Sequence, residues 1–146
     1  MSFHHAHVQW HSTQPFNHNG YNKNHTAQIS SQTLNLSSAN TEGFIDPEQA
    51  LAASLASCHM LTFLAVCAKK RLQVKSYQDT CVAEVKENRE GKFYVDNIQL
   101  NPQVVFEPNS AAQTLEQLEH IHQKAHAHCF ISNSLTSRVD INIKQA

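Results

Sequence analysis

Charge is scarce in this chain. Lys, Arg, Asp and Glu make up 16% of its 146 residues and sum to a net charge of −1. The basic face that a phosphate backbone demands is missing, so nucleic acid is excluded as a partner. Arginine is scarcer still, with only Arg71, Arg89 and Arg138. The opening Met1-Ser2-Phe3-His4-His5 has no basic start followed by an apolar run, so no secretory signal is expected. No internal repeat, low-complexity segment, CxxC or HExxH spacing occurs. One further absence is local: from Ala50 to Ala68 there is no Gly, no Pro and no charge. That run approaches membrane length, but Ser54, Ser57, His59 and Thr62 interrupt it. A buried helix is therefore expected rather than a span, in a single cytoplasmic domain over residues 1–146 with no membrane partner. In a reducing compartment its four cysteines are free, catalytic or metal-bound rather than structural disulfides.

What is present begins with that helix. Asp46 is its N-cap, Pro47 takes the first helical position, and Gln49 stands where a capping box places it. Apolar residues run nearly all the way round, which predicts burial on most faces. From Pro47 to Leu72 it would span about 39 Å, and Lys69, Lys70 and Arg71 close it against the helix dipole. Before it, alternation at His7–Trp10, Thr26–Ile29 and Thr33–Leu36 predicts three short strands, with a loop around Pro15 to Gly20. After it, Val74 to Lys86 reads as one arm of a hairpin. Glu87–Lys92 turns, Phe93–Leu100 returns, and Val104–Phe106 extends the return. Ser110 is expected to cap a second, amphipathic helix carrying Leu115, Leu118, Ile121, His122 and Ala125. A junction follows at His126–Leu135, then a last strand over Arg138–Lys144. The order βββ–α–ββ–α–β implies an α+β fold with a mostly antiparallel sheet around the long helix.

The thiols differ in setting. Cys58 lies mid-helix, where a packing thiol is the ordinary reading. Cys67 is nine residues on, about half a turn away round the helix, so the two cannot share a site. Cys67 and Cys81, the latter in an alternating strand, read as packing thiols. Cys129 ends a helix beside histidines, where partial exposure and dipoles favour a thiolate. The eleven histidines offer a rival chemistry. His122 and His126 share a helix face, and His128 or Cys129 could complete a zinc or copper site. Solvated histidines are the plainer reading, and no metal or cofactor is expected. His59 and His128, next to the two thiols, are possible proton partners.

Two stretches resemble the OsmC/Ohr family, the osmotically induced and organic-hydroperoxide-resistance proteins. Asp46-Pro47-Glu48-Gln49-Ala50-Leu51-Ala52-Ala53-Ser54-Leu55-Ala56-Ser57-Cys58 is similar to its NPEELLAAALAAC signature. His128-Cys129-Phe130-Ile131-Ser132-Asn133-Ser134-Leu135 is similar to its CPVSNAL motif. The resemblance implies antiparallel sheets wrapped around a central helix in an intertwined homodimer. It further implies thiol peroxidase chemistry on organic hydroperoxides: Cys58 attacks the peroxide, Cys129 resolves the sulfenic acid, and a dithiol reductant, such as a lipoyl group, restores both. Glu48 matches the family's acidic partner by its spacing from the cysteine. Along a straight helix Glu48 and Cys58 are roughly 15 Å apart, and a first-turn acid also simply suits the helix dipole, so both readings of Glu48 stand. Two departures matter. The family's arginine from the N-terminal strands has no counterpart, leaving Lys23 and His25 as the nearest cations, and Phe130 stands where proline is common. A non-catalytic relative that binds a small ligand or senses redox state is the alternative.

Overall fold

The structure, a computed structural model, describes residues 1–144. The chain divides into two compact units, residues 1–50 and 51–146.

In the first unit, β1 (His7–Gln9), β2 (His25–Ile29) and β3 (Gln32–Leu36) form an antiparallel sheet in that order. The β2–β3 hairpin turns through Ser30, whose φ of 55° places a non-glycine residue in the left-handed region that such tight turns require. Leu36 then bridges to Ile45. The expected capping box is present: Gln49 N–H donates to Asp46 Oδ1 at 2.7 Å, and Asp46 N–H donates to Gln49 Oε1 at 3.0 Å.

Helix α1 runs from Pro47 to Lys69. It stops because Arg71 enters the left-handed region (φ 59°). Arg71 N–H then donates to Ala68 O and Leu72 N–H to Cys67 O, both at 3.0 Å, the paired bonds of a Schellman end. The helix buries one stripe, Ala52, Leu55, His59, Phe63 and Cys67, at spacings of three and four residues. Ala53, Ser54, Ser57, Leu61, Ala65 and Ala68 stay exposed. Burial on most faces was expected and is corrected here. The outer residues are mainly Ala and Ser, whose exposure forfeits little apolar burial. By length and composition α1 would suffice to cross a membrane, yet its inner stripe forms the core of the second unit.

The stretch expected as one hairpin arm is two strands, β4 (Val74–Asp79) and β5 (Val82–Glu87), and its return is β6 (Phe93–Leu100) and β7 (Pro102–Phe106). Among the described residues β4 pairs only with β7, while β6 lies between β5 and β8 (Arg138–Ile141). Both arms break at the same level. Asp79 Oδ1 accepts the Asn101 N–H at 2.7 Å, and Asn101 Nδ2 donates to Thr80 O at 2.8 Å, fixing the joint. Cys81 sits at that joint rather than inside a strand. The order is therefore βββ–α–ββββ–α–β, still α+β. Among the described strands pairing is antiparallel except for β6–β8, which is parallel, and the two isolated bridges are parallel as well. β8 ends at Ile141, short of the expected Lys144, which instead bridges to Gln103.

Helix α2 (Leu115–His128) starts later than expected. Its cap is Thr114, in a capping box with Gln117. Ser110 is engaged elsewhere, its Oγ accepting the Gln73 N–H at 3.0 Å. A 3-10 turn at Ser132–Ser134 follows. Two apolar clusters share α1. Ala52 and Leu55 pack with Ile98, Leu100 and Cys129; Phe63 and Cys67 pack with Ile121 and Ala125 of α2.

Candidate functional site

Cys58 and Cys129, 71 residues apart in sequence, meet at the first of these clusters. α1 carries Cys58, half-buried. Cys129 caps the C-terminal end of α2 in an extended conformation (φ −76°, ψ 115°), with its N–H donating to His126 O at 3.3 Å. The chain then folds back through Phe130 and Ile131 into the 3-10 turn. Both thiols are free, and both pack into this cluster.

The two sulfurs have opposite acidities. Burial raises the Cys58 pKa, but hydrogen bonds from the Cys129 thiol and from the backbone N–H groups of Ile131 and Phe130 outweigh it and hold it below the ordinary thiol value. Thr62 adds a smaller effect: its hydroxyl, which donates to the Cys58 carbonyl at 2.8 Å, also lies against the sulfur. Cys129 is held above the ordinary value by burial and by its bond to Cys58. Opposing hydrogen bonds come from Ser132 N–H, 3.4 Å from its Sγ, and from Ile131 N–H. Partial exposure was expected for Cys129, but it is fully buried (0% exposed). The helix end that looks open in the sequence is closed over by the turn that follows it. Cys58 is thus the more acidic thiol of the two.

The other thiols stand apart. Cys67 is buried among apolar side chains, which push its pKa up to about 11 against the pull of Lys70. Burial also raises Cys81.

The neighbouring histidines do not serve the sulfurs. His59 turns away from Cys58 into the second cluster, where its Nε2 is hydrogen-bonded to His122 Nδ1 at 2.9 Å. The rings stack 5.3 Å apart, and His122 also stacks on Phe63 at 4.3 Å. Burial, with the charge of His126, lowers His59 to about 4; burial, with His59, lowers His122 to about 3. Both rings are neutral near pH 7. His128 is exposed. The shared face read for His122 and His126 does not bring them to one ligand, because His126 Nδ1 is hydrogen-bonded to Ser132 Oγ at 3.0 Å instead. Among the described residues no group of three or more His, Cys, Asp or Glu is placed to hold a metal ion.

Glu48 lies in the first turn of α1 and lines a cavity of about 650 Å³ in the first unit. Trp10, Phe16 and Tyr21 line the same cavity, as do Lys23 and His25. Lys23 Nζ sits 5.0 Å from the Tyr21 ring centre, and His25 Nδ1 donates to the Lys23 carbonyl at 2.8 Å. Sequence reasoning missed this aromatic lining, for which Trp10 was the only signal. It also missed the backbone donors at residues 130–132, which side-chain identity does not reveal.

A family model described as OsmC-like protein matches residues 40–144. Among solved structures, an OsmC-like protein of unknown function from Vibrio cholerae is 38% identical, with a TM-score of 0.93, covering 99% of this chain and 100% of that one. An organic hydroperoxide resistance protein from Elizabethkingia anophelis is 13% identical (TM-score 0.70; 99% and 97% covered). One from Bacillus subtilis is 14% identical (TM-score 0.68; 97% and 98% covered). These two share the fold. Among curated proteins no sequence matches.

Proposed function

The chain belongs to the OsmC-like protein family, and from that premise we propose that it is a thiol-dependent peroxidase that reduces organic hydroperoxides. The observation that carries this reading is the unequal thiol pair: a half-buried Cys58 whose pKa is lowered, packed in one cluster with a buried Cys129 whose pKa is raised. A thiolate is the form that attacks a peroxide. Cys58 S⁻ displaces RO⁻ from ROOH, forming the sulfenic acid Cys58–SOH, and the alkoxide takes a proton to become ROH. The Cys129 thiol then attacks the sulfenic sulfur; the S–S bond forms and water leaves with the Cys129 proton. A dithiol of the lipoyl type reduces the disulfide by exchange and is itself oxidised. The organic class of peroxide is suggested by the Elizabethkingia and Bacillus relatives, which are organic hydroperoxide resistance proteins.

Two further assignments belong to this reading. Glu48 is the acidic group of this reading, and it lines the aromatic cavity together with Lys23 and His25. A homodimer is supported by the exposed, small-residue side of α1, against which a second helix could approach closely. The test is to add cumene hydroperoxide to the reduced protein and follow peroxide loss with peptide mass spectrometry. One Cys58–Cys129 disulfide per chain is expected, and peroxide loss no faster than in C58S would refute the proposal.

The aromatic cavity also favours a second reading, a ligand-binding protein with slow peroxide turnover. It predicts that an apolar ligand raises the melting temperature of C58S. A ligand panel that produces no shift counts against it.

A further inference from the structure

Cys129 is gripped at three points. Its N–H donates to His126 O at 3.3 Å, its carbonyl accepts the Asn133 N–H at 3.0 Å, and its Sγ accepts the Ser132 N–H at 3.4 Å. Ser132 is in turn held by its side chain: its Oγ and His126 Nδ1 are hydrogen-bonded at 3.0 Å. These bonds close a ring. His126 takes the Cys129 backbone with its carbonyl, and its imidazole holds the residue whose amide reaches the Cys129 sulfur.

Other ties to the turn lie on either side of Ser132. Asn133 Nδ2 donates to Ala127 O at 3.2 Å, and Ser134 Oγ donates to Phe130 O at 2.8 Å. Neither touches Ser132, so its side-chain hold comes from His126. Cys129 has reason to need that amide. It is sealed from solvent among Ile98, Leu100 and Leu55, where burial disfavours a charged sulfur. The titratable side chains packed with it are Cys58 of α1 and Cys81 at the joint between β4 and β5, and neither is a cation. An N–H already in place stabilises charge on the sulfur without reorganising when that charge appears.

We propose that His126 is a positioning residue for the resolving thiol: its ring holds Ser132 so that the Ser132 N–H stays on the Cys129 sulfur while that sulfur attacks. The step served is the resolution proposed above and rests on that reading. Cys129 Sγ loses its proton, its electron pair forms the S–S bond, and the hydroxide leaving Cys58 combines with a proton as water. The amide acts while the Cys129 sulfur carries charge. His126 therefore acts on the sulfur through Ser132, unlike His59 and His128, which only neighbour the thiols in sequence.

Three variants test this. His126→Leu removes the ring bond, His126→Gln keeps a polar group that can reach Ser132 Oγ, and Ser132→Ala deletes the hydroxyl but keeps the N–H. The first readout is the NMR shift of the Cys129 Cβ against pH in the C58S background, where the sulfur titrates without its partner. A loosened hydrogen bond to the charged sulfur should raise the midpoint by about one pH unit in H126L and S132A and leave H126Q close to the background. The second is the rate of Cys58–Cys129 disulfide formation at pH 7 after one equivalent of cumene hydroperoxide, with Cys58 intact. Tenfold less thiolate, partly offset by the greater nucleophilicity of a more basic sulfur, should slow it about threefold in H126L and S132A, with H126Q restored and more Cys58 sulfenic acid captured by dimedone in the slow pair. Midpoints in H126L and S132A equal to the background overturn the inference, as does an H126Q midpoint as high as that of H126L. Should H126L fail to fold, the S132A midpoint decides. The titration needs no peroxide. Raised midpoints in a protein that forms no disulfide would sink the function proposal while upholding the hold of His126 on the thiol; ready disulfide formation with unmoved midpoints would do the reverse.

Discussion

Helix α1 carries two cysteines whose surroundings make them chemically opposite. Cys58 meets backbone amides and a second thiol, and its pKa is lowered; Cys67 meets Phe63, Ile121 and Ala125, and its pKa is pushed up to about 11. The helix supplies the same residue type to both clusters, so it does not create the difference. The turn after α2 does: backbone N–H groups of residues 130 and 131 lower the Cys58 pKa at the middle of the shared helix, while Cys67, nearer its C-terminal end, is packed among Phe63, Ile121 and Ala125. Burial raises both thiols, and donors to the charged form decide which of them becomes a nucleophile.

The contrast is most sharply broken by exchanging each sulfur for oxygen. C58S should abolish peroxide consumption, a loss of at least about a thousandfold for removal of an activated nucleophile. C67S should keep turnover within about twofold of wild type, checked by coupled peroxide assay. Equal losses would mean that Cys67 is not the inert member of the pair. C129S should have the next largest effect. The first oxidation survives but resolution does not, so a dimedone-reactive sulfenic acid accumulates on Cys58 and, with excess peroxide, passes to the sulfinic form. An intact disulfide in C129S, formed with another cysteine, would show that Cys129 is not the resolving thiol.

The histidine pair sharpens the contrast at the other cluster. His59 and His122 have folded-state pKa values of about 4 and about 3, below the ordinary value near 6.5, so the unfolded chain takes up protons first on acidification. Their contribution is complete above pH 6.5 and is lost as pH falls towards 4 for His59 and towards 3 for His122, at up to about 1.4 kcal/mol per pH unit for each ring. Urea midpoints should therefore decline over that window in wild type, and more gently in an H59L/H122F double variant. A parallel decline in both would show that the pair is not the acid-labile element. The double variant should not move the alkylation midpoint of Cys58, which belongs to the other cluster.

Much of this contrast was visible in the sequence, and the missing part has a physical cause. The cap at Asp46, the unbroken run after Pro47 and the two motifs around Cys58 and Cys129 are local patterns, and they located α1 and the thiol pair. The break between β4 and β5 was not legible, because it depends on Asp79 and Thr80 meeting Asn101 some twenty residues later. The cap of α2 was misplaced because Ser110 and Thr114 are both good caps, and a long-range bond to Gln73 claims the first. The histidines at 59 and 122 pair across 63 positions, beyond the reach of any helical spacing. Least legible were the amides of Phe130 and Ile131, since every residue but proline carries one and only the fold decides where it points.

The central claim is that donors from the turn after α2 make Cys58 the acidic thiol of this chain. It is tested most directly by alkylating the reduced wild-type protein with iodoacetamide across pH 5 to 10 and following each cysteine by mass spectrometry. The account predicts a Cys58 midpoint below the value near 8.5 of an ordinary thiol, with Cys67 unreactive throughout. A Cys58 midpoint at or above that value, or labelling of Cys67 ahead of Cys58, would contradict it.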